Sequence, residues 1–480
     1  MIAKTSLLRF AQLLGPKGYT DDQQQIAPWL NDWRGHYHGN ALAILSPADT
    51  SEVAATVQLA AELGIPLVPQ GGNTSTVAGA TPPEDGSALI LSLRRLNQIR
   101  SVNSEASVAV AEAGVILANL HETVAQSGRR FPLTLGSKGS ATIGGLISTN
   151  AGGTQVLRFG TMRGLVLGIE AVLPNGEIHN GLAVLKKDNR GYDLNQLIIG
   201  AEGTLGVVTA ASLRLVPAIA DRAVAWIGVR NPQDALRLLR VLEGQSGSAI
   251  ESFEIVPRET MAAVLEHIPG TRAPLAGDHP WLVLIEYVEC EPNRSAAVAC
   301  EQLLAATLES GLALDAVIAA SEAQAEAFWR LRDSISEAER ADGPALQHDI
   351  SVPVDIMPDF MTSDARAVEA AFPGVKAISF GHMGDGNVHF HVRAPRGVDG
   401  DAWRSAYGDP ITRMVNDLVV AAGGSISAEH GIGQVKRQEL LRLSEPARIT
   451  ALRAIKAAFD PLGIMNPGKL VPLASDARPA

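Results

Sequence analysis

Cysteine, positive charge and long apolar runs are all in short supply in this sequence of 480 residues. The two cysteines, Cys290 and Cys300, are too few for a disulfide framework and suit a reducing compartment. The net charge of -11 at pH 7 provides no broad positive field for a phosphate backbone, which argues against nucleic acid as a partner. No window approaches the roughly 20 apolar residues of a transmembrane helix, so no transmembrane segment is expected.

The first residues of the sequence are expected to form a helix rather than a signal peptide. The opening residues MIAKTSLLRFAQLLG are amphipathic, but they lack the uninterrupted apolar core and the small-residue cleavage site of a signal peptide. We therefore predict a helical segment over 1–40 and a cytoplasmic, or at most peripheral, location.

The next part of the chain begins with a strand, a helix and a second strand. The first strand starts at Ala41, Asp49 and Glu52 form a capping box at the start of the helix, and Gly64 is its stop signal. A chain of this length is expected to form roughly two to four domains. We assign the first of them to 41–217.

The character of the sequence changes after Pro217. Four strand-like runs alternate with helices rich in alanine and leucine, which is typical of a separate α+β domain. We predict this domain over 218–423 and a mostly helical segment over 424–480. The four runs lie near 223–230, 248–255, 281–288 and 313–319.

Two glycine-rich runs lie in the first domain. The run 71–76, GGNTST, follows a strand, and it could be either a phosphate-binding loop or an ordinary turn at the end of a strand. The run 136–153 is too long and too rich in glycine for a simple turn, so something must approach its backbone closely. Neither run has the G-x-G-x-x-G or the P-loop spacing, which disfavours a nicotinamide or P-loop nucleotide site.

Seven motifs occur in the order in which one family of flavoproteins has them. They are PLVPQGGNTSTVAGA, ATIGGLISTNAGG, RFGTMRGLVLGIEAVLPNGEI, IGAEGTLGVVTAASLRLVP, FGHMGDGNVHFHV, SAEHGIG and NPGKLVP, and together they extend over nearly the whole chain. In these motifs the sequence resembles the D-2-hydroxy-acid dehydrogenase branch of the vanillyl-alcohol-oxidase/p-cresol-methylhydroxylase superfamily. That branch includes D-lactate dehydrogenases, the glycolate oxidase flavoprotein subunit and D-2-hydroxyglutarate dehydrogenase.

The resemblance implies an α+β fold with three parts. These are a two-subdomain FAD-binding domain of the p-cresol-methylhydroxylase type, an α+β antiparallel-sheet substrate (cap) domain that carries metal ligands, and a helical C-terminal segment that returns to the flavin. It also implies that the two glycine-rich runs hold the FAD diphosphate from two sides. Because 70–80 contains no histidine, cysteine or tyrosine, we expect FAD to be bound non-covalently. The expected FAD contacts are Pro69, Gly71, Gly72, Asn73, Thr74, Ser75, Gly136, Ser137, Gly139, Thr142, Gly144, Gly145, Ser148, Thr149, Asn150, Gly152, Gly153, Glu202, Gly206, Val207 and Asn466.

Histidines and a glutamate in two later motifs suggest a metal site. His389 and His391 alternate along a predicted strand and so share one face, while His382 lies in the same motif and Glu429 in the next. Two imidazoles and a carboxylate with an open position suit zinc or a similar ion, although clustered histidines also occur as satisfied polar core residues. The resemblance implies that His382, His389 and Glu429 are the ligands of a divalent metal, expected to be zinc, with manganese or cobalt as alternatives.

Oxidation of a 2-hydroxy acid also requires a base. A metal that is chelated by the C1 carboxylate and the C2 oxygen lowers the pKa of the hydroxyl group, and a neutral imidazole can accept its proton. His430 follows Glu429 directly. We predict His430 as the base, although a structural histidine at a helix start is the alternative.

The expected substrate anchor lies on the predicted helix SEAQAEAFWRLRDSISEAER. Arg332 and Ser336 are four residues apart and share a face, and Arg332 matches the arginine that binds a substrate carboxylate in the resembling family. An isolated helical arginine is more often a solvated charge. Gln347 stands where D-2-hydroxyglutarate enzymes have a lysine, and His391 stands where they commonly have an asparagine. Asn387 completes the predicted substrate contacts.

These assignments predict an FAD- and metal-dependent oxidation of a D-2-hydroxy acid to the 2-oxo acid by hydride transfer to flavin N5. D-2-hydroxyglutarate is the leading substrate, and D-lactate, glycolate or another D-2-hydroxy acid is the alternative. An oxygen-using oxidase and a non-catalytic subunit are further alternatives. The resemblance suggests an electron-transfer flavoprotein or a quinone as acceptor, and we expect a homodimer.

Overall fold

The strand–helix–strand unit that the sequence predicts after Ala41 is confirmed in the computed structural model, which describes residues 2–185 and 187–472. The helix Thr50–Leu63 begins after Asp49, whose side chain accepts a hydrogen bond of 2.8 Å from the amide of Glu52. It ends at Gly64, which adopts the left-handed conformation with φ 63°. The predicted N-terminal helix is present as well, over Lys4–Gly18.

The chain forms two structural units. The first unit comprises Met1–Gly153, Gly160–Ala218 and Glu429–Ala480, and the second comprises Thr154–Phe159 and Ile219–Ala428. The change of unit at Ala218 lies beside the domain boundary that we predicted after residue 217. The short segment Thr154–Phe159 was not expected in the second unit.

In the described part of the first unit, eleven strands form three sheets. The four-stranded sheet has the order β1-β2-β4-β3, the five-stranded sheet has the order β5-β6-β10-β8-β9, and β11 pairs with β7. Strands β2, β4 and β3 are parallel, whereas the five-stranded sheet is antiparallel. The strands are β1 Tyr19–Thr20, β2 Ile44–Leu45, β3 Leu67–Gln70, β4 Leu89–Ser92, β5 Ile99–Asn103, β6 Val108–Glu112, β7 Arg129–Arg130, β8 Val166–Val172, β9 Ile178–Asn180, β10 Val207–Arg214 and β11 Val216–Pro217.

The core of the first unit lies between the four-stranded sheet and two helices. Phe10 and Val57 pack with Leu67 and Leu91 of the sheet, and Met465 near the C-terminus joins the same cluster. The C-terminal segment therefore returns to β3. The helices are Lys4–Gly18, Gln23–Ile26, the short 3-10 turn Ala27–Trp29, Thr50–Leu63, Leu117–Ala125, Ile143–Ser148, Met162–Leu165, Leu194–Ile198, Arg437–Leu443 and Pro446–Phe459.

The second unit is built on one antiparallel sheet of seven strands. Its order is β15-β12-β14-β13-β17-β18-β16, and β12 to β15 confirm the four runs that the sequence predicts. The strands are β12 Asp221–Val229, β13 Ile250–Pro257, β14 Trp281–Glu289, β15 Asp315–Ile318, β16 Ala345–Ser351, β17 Lys376–His382 and β18 Asn387–Arg393.

Helices cover both faces of this sheet. On one face Trp226, Ile378 and Phe380 pack against Phe328 and Ile335, and on the other face Phe390 meets Phe360 with ring centroids 5.6 Å apart. The helices are Val156–Phe159, Pro232–Ser246, Arg258–His267, Ala296–Glu309, Glu322–Asp333, Ile335–Ala341, Met357–Asp359, the π-helical turn Phe360–Asp364, Ala365–Ala371 and Gly400–Ala421. Within the described part of the chain, no helix combines the length and the apolar character needed to cross a bilayer.

The predicted helix around Arg332 differs from expectation in one respect. It is divided at Ser334 into Glu322–Asp333 and Ile335–Ala341. Ser334 ends the first helix with φ -80° and ψ -4°, which lie in the right-handed helical region.

Candidate active site

The two glycine-rich runs meet in the first unit. A Cβ atom added to Gly71 would lie 2.2 Å from Thr142 Oγ1, and one added to Gly72 would lie 1.9 Å from the carbonyl oxygen of Ser140. Only glycine permits this close approach of the two runs. The runs that the sequence assigned to one cofactor are therefore adjacent.

Part of the glycine content is explained by contacts within the protein. An added Cβ would lie 2.6 Å from Ala113 Cβ at Gly144, 2.1 Å from the Thr134 carbonyl oxygen at Gly153 and 2.9 Å from the Val172 carbonyl oxygen at Gly206. At Gly136 and Gly139, by contrast, no atom of the described residues lies within 4 Å of such a Cβ, apart from those of the glycine itself and its two neighbours in the chain. The space beside these two glycines is open to a ligand.

Several predicted FAD contacts use their side chains inside the first unit. Ser148 and Thr149 donate to the carbonyl groups of Gly144 and Gly145, and Asn150 Oδ1 accepts from Thr161 and Arg163. Ser75 Oγ accepts from the Gly79 amide, and Asn73 donates to the Asn31 carbonyl group. Pro69 lies in β3 and Val207 in β10. Thr74, Ser137, Gly145 and Gly152 belong to the two runs.

The buried polar atoms of the first unit that have no hydrogen-bond partner among residues 2–185 and 187–472 include four at or next to predicted FAD contacts. These four are Gln70 Oε1, Thr76 Oγ1, Thr142 Oγ1 and Asn466 Oδ1. Buried polar groups are nearly always satisfied, by protein, water or a ligand. Three of the four lie in or beside the glycine-rich runs, and the fourth lies in the C-terminal motif, so these residues fit a bound polar cofactor.

Glu202 and Asn466 connect the C-terminal motif to the glycine-rich runs. The Asn466 side-chain amide donates to the carbonyl groups of Glu202, at 2.7 Å, and Gly79, at 2.9 Å. The Glu202 amide donates to the Ser148 carbonyl group, and its carboxylate accepts from two amides of 431–433. Burial raises the pKa of Glu202, although these amides and two lysines oppose the rise.

In the second unit the predicted histidines lie on one face of the sheet. His382 at the end of β17 is the cross-strand neighbour of Glu254 on β13 and of Asn387 on β18. His389 on β18 lies between Asp349 and Phe380 in the next row. Cross-strand neighbours point to the same side of a sheet. We call this side, with Glu254, His382, Asn387, Asp349 and His389, the histidine face.

The two histidines are close enough to act together. Their ring centroids are 5.3 Å apart. Burial, together with His382 and Arg332, holds the pKa of His389 well below its usual value of 6.5, so His389 is neutral. A neutral imidazole is the form that ligates a metal.

Glu254 is a site residue that the sequence did not reveal. Its Oε1 lies 2.6 Å from His382 Nδ1, and its Oε2 accepts a hydrogen bond of 2.8 Å from Arg332 Nε. Burial alone would raise the pKa of Glu254, but His382 and Arg332 outweigh it and lower the pKa to about 2. Because Glu254 occupies Nδ1, a metal at His382 has to bind Nε2, which is the usual carboxylate–histidine–metal arrangement.

The predicted substrate residues of the second unit differ in burial and in their hydrogen-bond partners. Arg332 is largely buried and lies over the Phe380 ring at 5.4 Å, so it is not a solvated charge, whereas Ser336 is exposed. Gln347 and His391 are cross-strand neighbours, and His391 Nδ1 lies 2.7 Å from the buried carboxylate of Glu339. Asn387 donates to Asp349 and Ile350.

Glu429 and His430 begin the last segment of the first unit. Glu429 is bonded directly to Ala428, whose amide donates to the Asp349 carbonyl group at 3.4 Å in the second unit. Asp349 is the cross-strand neighbour of His389. The contact of Ala428 with β16 therefore lies within the second unit, beside the row that carries His389.

An acidic residue inside an apolar strand is the sequence signal that could have located Glu254. Glu251 and Glu254 lie in IESFEIVP, and both are fully buried. A buried carboxylate must be paired, so a glutamate in such a strand indicates a cationic partner such as arginine or histidine. The strand sequence does not identify which residue this partner is. Glu251 is paired with Arg158, and Glu254 with Arg332 and His382.

Comparison with protein families gives two matches along the chain. Residues 41–181 match a family described as "FAD binding domain", and residues 219–470 match one described as "FAD linked oxidases, C-terminal domain". In fold, the chain is similar to p-cresol methylhydroxylase with a TM-score of 0.73 and 14% identity, over 97% of this chain and 96% of that one. This likeness confirms the predicted fold class.

Similar proteins extend over most of the chain. A protein of Arabidopsis thaliana, "D-2-hydroxyglutarate dehydrogenase, mitochondrial", is 35% identical over 96% of this chain and 81% of its own length. A Bos taurus protein of the same name is 37% identical over 94% of this chain and 80% of its own. "D-2-hydroxyglutarate dehydrogenase" of Xanthomonas citri pv. viticola is 35% identical over 92% and 91%.

Proposed function

The chain belongs to the FAD-linked oxidases, and from this membership we propose that it oxidises D-2-hydroxyglutarate to 2-oxoglutarate while it reduces a bound FAD. The observation that carries the proposal is the pairing of His382 and His389 on the histidine face, with Glu254 between His382 and Arg332. This arrangement suits a substrate that offers both a hydroxyl group and a carboxylate. The names of the similar proteins support the same substrate.

FAD is the proposed hydride acceptor, held by the two glycine-rich runs and the C-terminal motif. The open backbone at Gly136 and Gly139 and the unsatisfied atoms of Thr142 and Asn466 are the features that suit it. When bound, FAD supplies N5 as the acceptor of a hydride from C2 of the substrate. The run 70–80 has no histidine, cysteine or tyrosine for a covalent link, so acid precipitation should release the flavin into the supernatant.

The proposed metal ligands are His382, His389 and Glu429. Zinc is the first choice for two imidazoles and a carboxylate, and manganese and cobalt are alternatives. When bound, the metal supplies a Lewis acid that lowers the pKa of the substrate hydroxyl group. Glu254 fixes the ring of His382, because the Nδ1 hydrogen bond leaves the imidazole one orientation.

His430 is the proposed base. It takes the proton from the C2 hydroxyl group, which a neutral imidazole can do near neutral pH. Its position next to Glu429 in the chain keeps it beside a proposed ligand.

Arg332 is the proposed anchor of a substrate carboxylate. Its Nε–H is donated to Glu254, so its two Nη groups are the ones that would bind the carboxylate. Gln347, His391 and Asn387 on neighbouring strands are the proposed side of the pocket for the distal group, and Ser336 stands four residues after Arg332. D-lactate is the second candidate substrate. The reason is that Gln347 stands in place of a lysine whose positive charge would bind the second carboxylate of a diacid.

We further propose an electron-transfer flavoprotein or a quinone as the electron acceptor, a homodimer and a cytoplasmic location. Two of the similar proteins carry mitochondrial names, which does not favour the cytoplasm.

The test is a panel of D-2-hydroxy acids assayed with an artificial dye and then with oxygen alone. We expect dye reduction with D-2-hydroxyglutarate at the highest kcat/KM and little turnover with oxygen. A higher kcat/KM for D-lactate would identify D-lactate as the preferred substrate. Equal turnover with oxygen and with the dye would identify the protein as an oxidase. No turnover with any acid would refute the proposal.

A further inference from the structure

The carboxylate of Glu202 accepts two hydrogen bonds from the loop that follows His430. Its Oε1 accepts a hydrogen bond from the Ile432 amide and its Oε2 one from the Gly433 amide, both at 2.7 Å. The residue is only 7% exposed, so water does not compete strongly for these bonds. Two consecutive backbone amides that converge on one carboxylate form an anion-binding nest.

The loop itself is shaped for this contact. Gly431 and Gly433 both have positive φ, at 79° and 52°. An added Cβ at Gly431 would lie 2.8 Å from Glu202 Oε1, and one at Gly433 would lie 2.0 Å from the Val77 carbonyl oxygen. Neither position tolerates a side chain without movement of the loop.

The backbone of Glu202 is held just as firmly as its carboxylate. It adopts a positive φ of 51°, which is strained for a residue other than glycine. Its amide donates to the Ser148 carbonyl group and its carbonyl group accepts from Asn466. The carboxylate is therefore presented from a fixed point between the second glycine-rich run and the C-terminal motif.

We propose that Glu202 is a positioning residue for His430. By holding the amides of Ile432 and Gly433, it limits the backbone conformations of the loop and so the orientations of the imidazole one residue before Gly431. The inference rests on the proposed role of His430 as base. It assigns the Glu202 carboxylate a task other than contact with the cofactor.

The test compares Glu202→Gln with Glu112→Gln in the FAD-loaded protein. A glutamine has one acceptor oxygen, so its NH₂ group must face one of the two amides and a hydrogen bond to a charged group is lost. Glu112 is the matched control: it is 8% exposed, and it accepts a bond of 2.9 Å from the Gln98 amide, not from 431–433.

Two measurements are made on each variant. Hydrogen exchange of the peptide that contains 431–434 should be faster in Glu202→Gln and unchanged in Glu112→Gln. The rate of flavin reduction by D-2-hydroxyglutarate should fall about 10- to 100-fold in Glu202→Gln, the range expected for one lost charge-assisted bond. The apparent affinity for the acid should change much less.

A double-mutant cycle separates positioning from general damage. In a His430→Ala background, Glu202→Gln should add no further loss of rate, because it acts through the missing imidazole. Additive losses, or unchanged exchange of 431–434, would overturn the inference. If Glu202→Gln does not retain FAD, Glu202→Asp is measured in the same way, with a smaller effect expected because the charge is kept.

Failure of the proposed function gives a different result. If His430→Ala is reduced at the wild-type rate, His430 is not the base, and the positioning role falls with it. Hydrogen exchange then still shows whether Glu202 holds the loop, because that measurement does not depend on turnover.

Discussion

Glu254 and His382 lie on the neighbouring strands β13 and β17, with Oε1 and Nδ1 2.6 Å apart. The same carboxylate binds Arg332 through its other oxygen. One buried glutamate thus orients both a proposed metal ligand and the proposed carboxylate anchor. Neither partner could be identified from the sequence around Glu254.

Replacing Glu254 with glutamine should weaken metal binding about 10- to 100-fold, the usual effect of losing a carboxylate behind a ligand histidine. Competition with a chromophoric chelator measures this affinity. Glu251→Gln is the matched control, because Glu251 is buried in the same strand but pairs with Arg158. Equal affinities of the two variants would remove Glu254 from the metal site.

Removing the metal should abolish turnover and leave the flavin in place. The proposed ligands His382, His389 and Glu429 do not belong to the glycine-rich runs. Dialysis against a chelator, followed by a visible spectrum and a dye assay, makes the measurement, and zinc, manganese or cobalt should restore activity. Full activity in protein that is free of metal by elemental analysis would exclude the Lewis-acid role.

Gln347→Lys should raise kcat/KM for D-2-hydroxyglutarate about tenfold relative to D-lactate. The reason is that a charge-assisted hydrogen bond to the distal carboxylate is worth about 1 to 1.5 kcal/mol more than a neutral one. His391→Asn is measured in parallel, because His391 is the cross-strand neighbour of Gln347. Should both variants affect mono- and dicarboxylates alike, neither residue faces the distal group.

Only one of the two thiols should react in the folded protein. Burial raises the pKa of Cys300 to about 12, so almost none of it is thiolate at about pH 8, whereas Cys290 is half-buried. Titration with a thiol reagent should count one group in the native state and two after denaturation. Cys290→Ser should then show no fast reaction, and a fast reaction in that variant would show that Cys300 is accessible.

Local signals predicted the elements of the fold well. Asp49 and Gly64 mark the ends of a helix in the sequence, and they do so in the structure. Four strand-like runs between helices rich in alanine and leucine located β12 to β15. The predicted p-cresol-methylhydroxylase-type fold is confirmed by structural similarity.

Long-range pairing was the part that the sequence could not provide. Glu254 meets Arg332 and His382, which are far away in the chain, and nothing local to Glu254 distinguishes them from other cations. In the same way, contacts with Ala113 and Thr134 require glycine at positions 144 and 153. From the sequence alone, the glycine content of this run was attributed to a ligand. Such contacts depend on the folded arrangement of the sheets rather than on a pattern of neighbours.

Anaerobic flavin reduction in a single turnover, with D-2-hydroxyglutarate as the only reductant, tests the proposed reaction most directly. We expect the visible flavin band to bleach in the wild-type protein and the L-enantiomer to be inactive. His430→Ala should bleach about 10² to 10⁴ times more slowly, the usual scale for a positioned base. A flavin that stays oxidised with D-2-hydroxyglutarate, or a His430→Ala variant that is reduced at the wild-type rate, would contradict the proposed reaction.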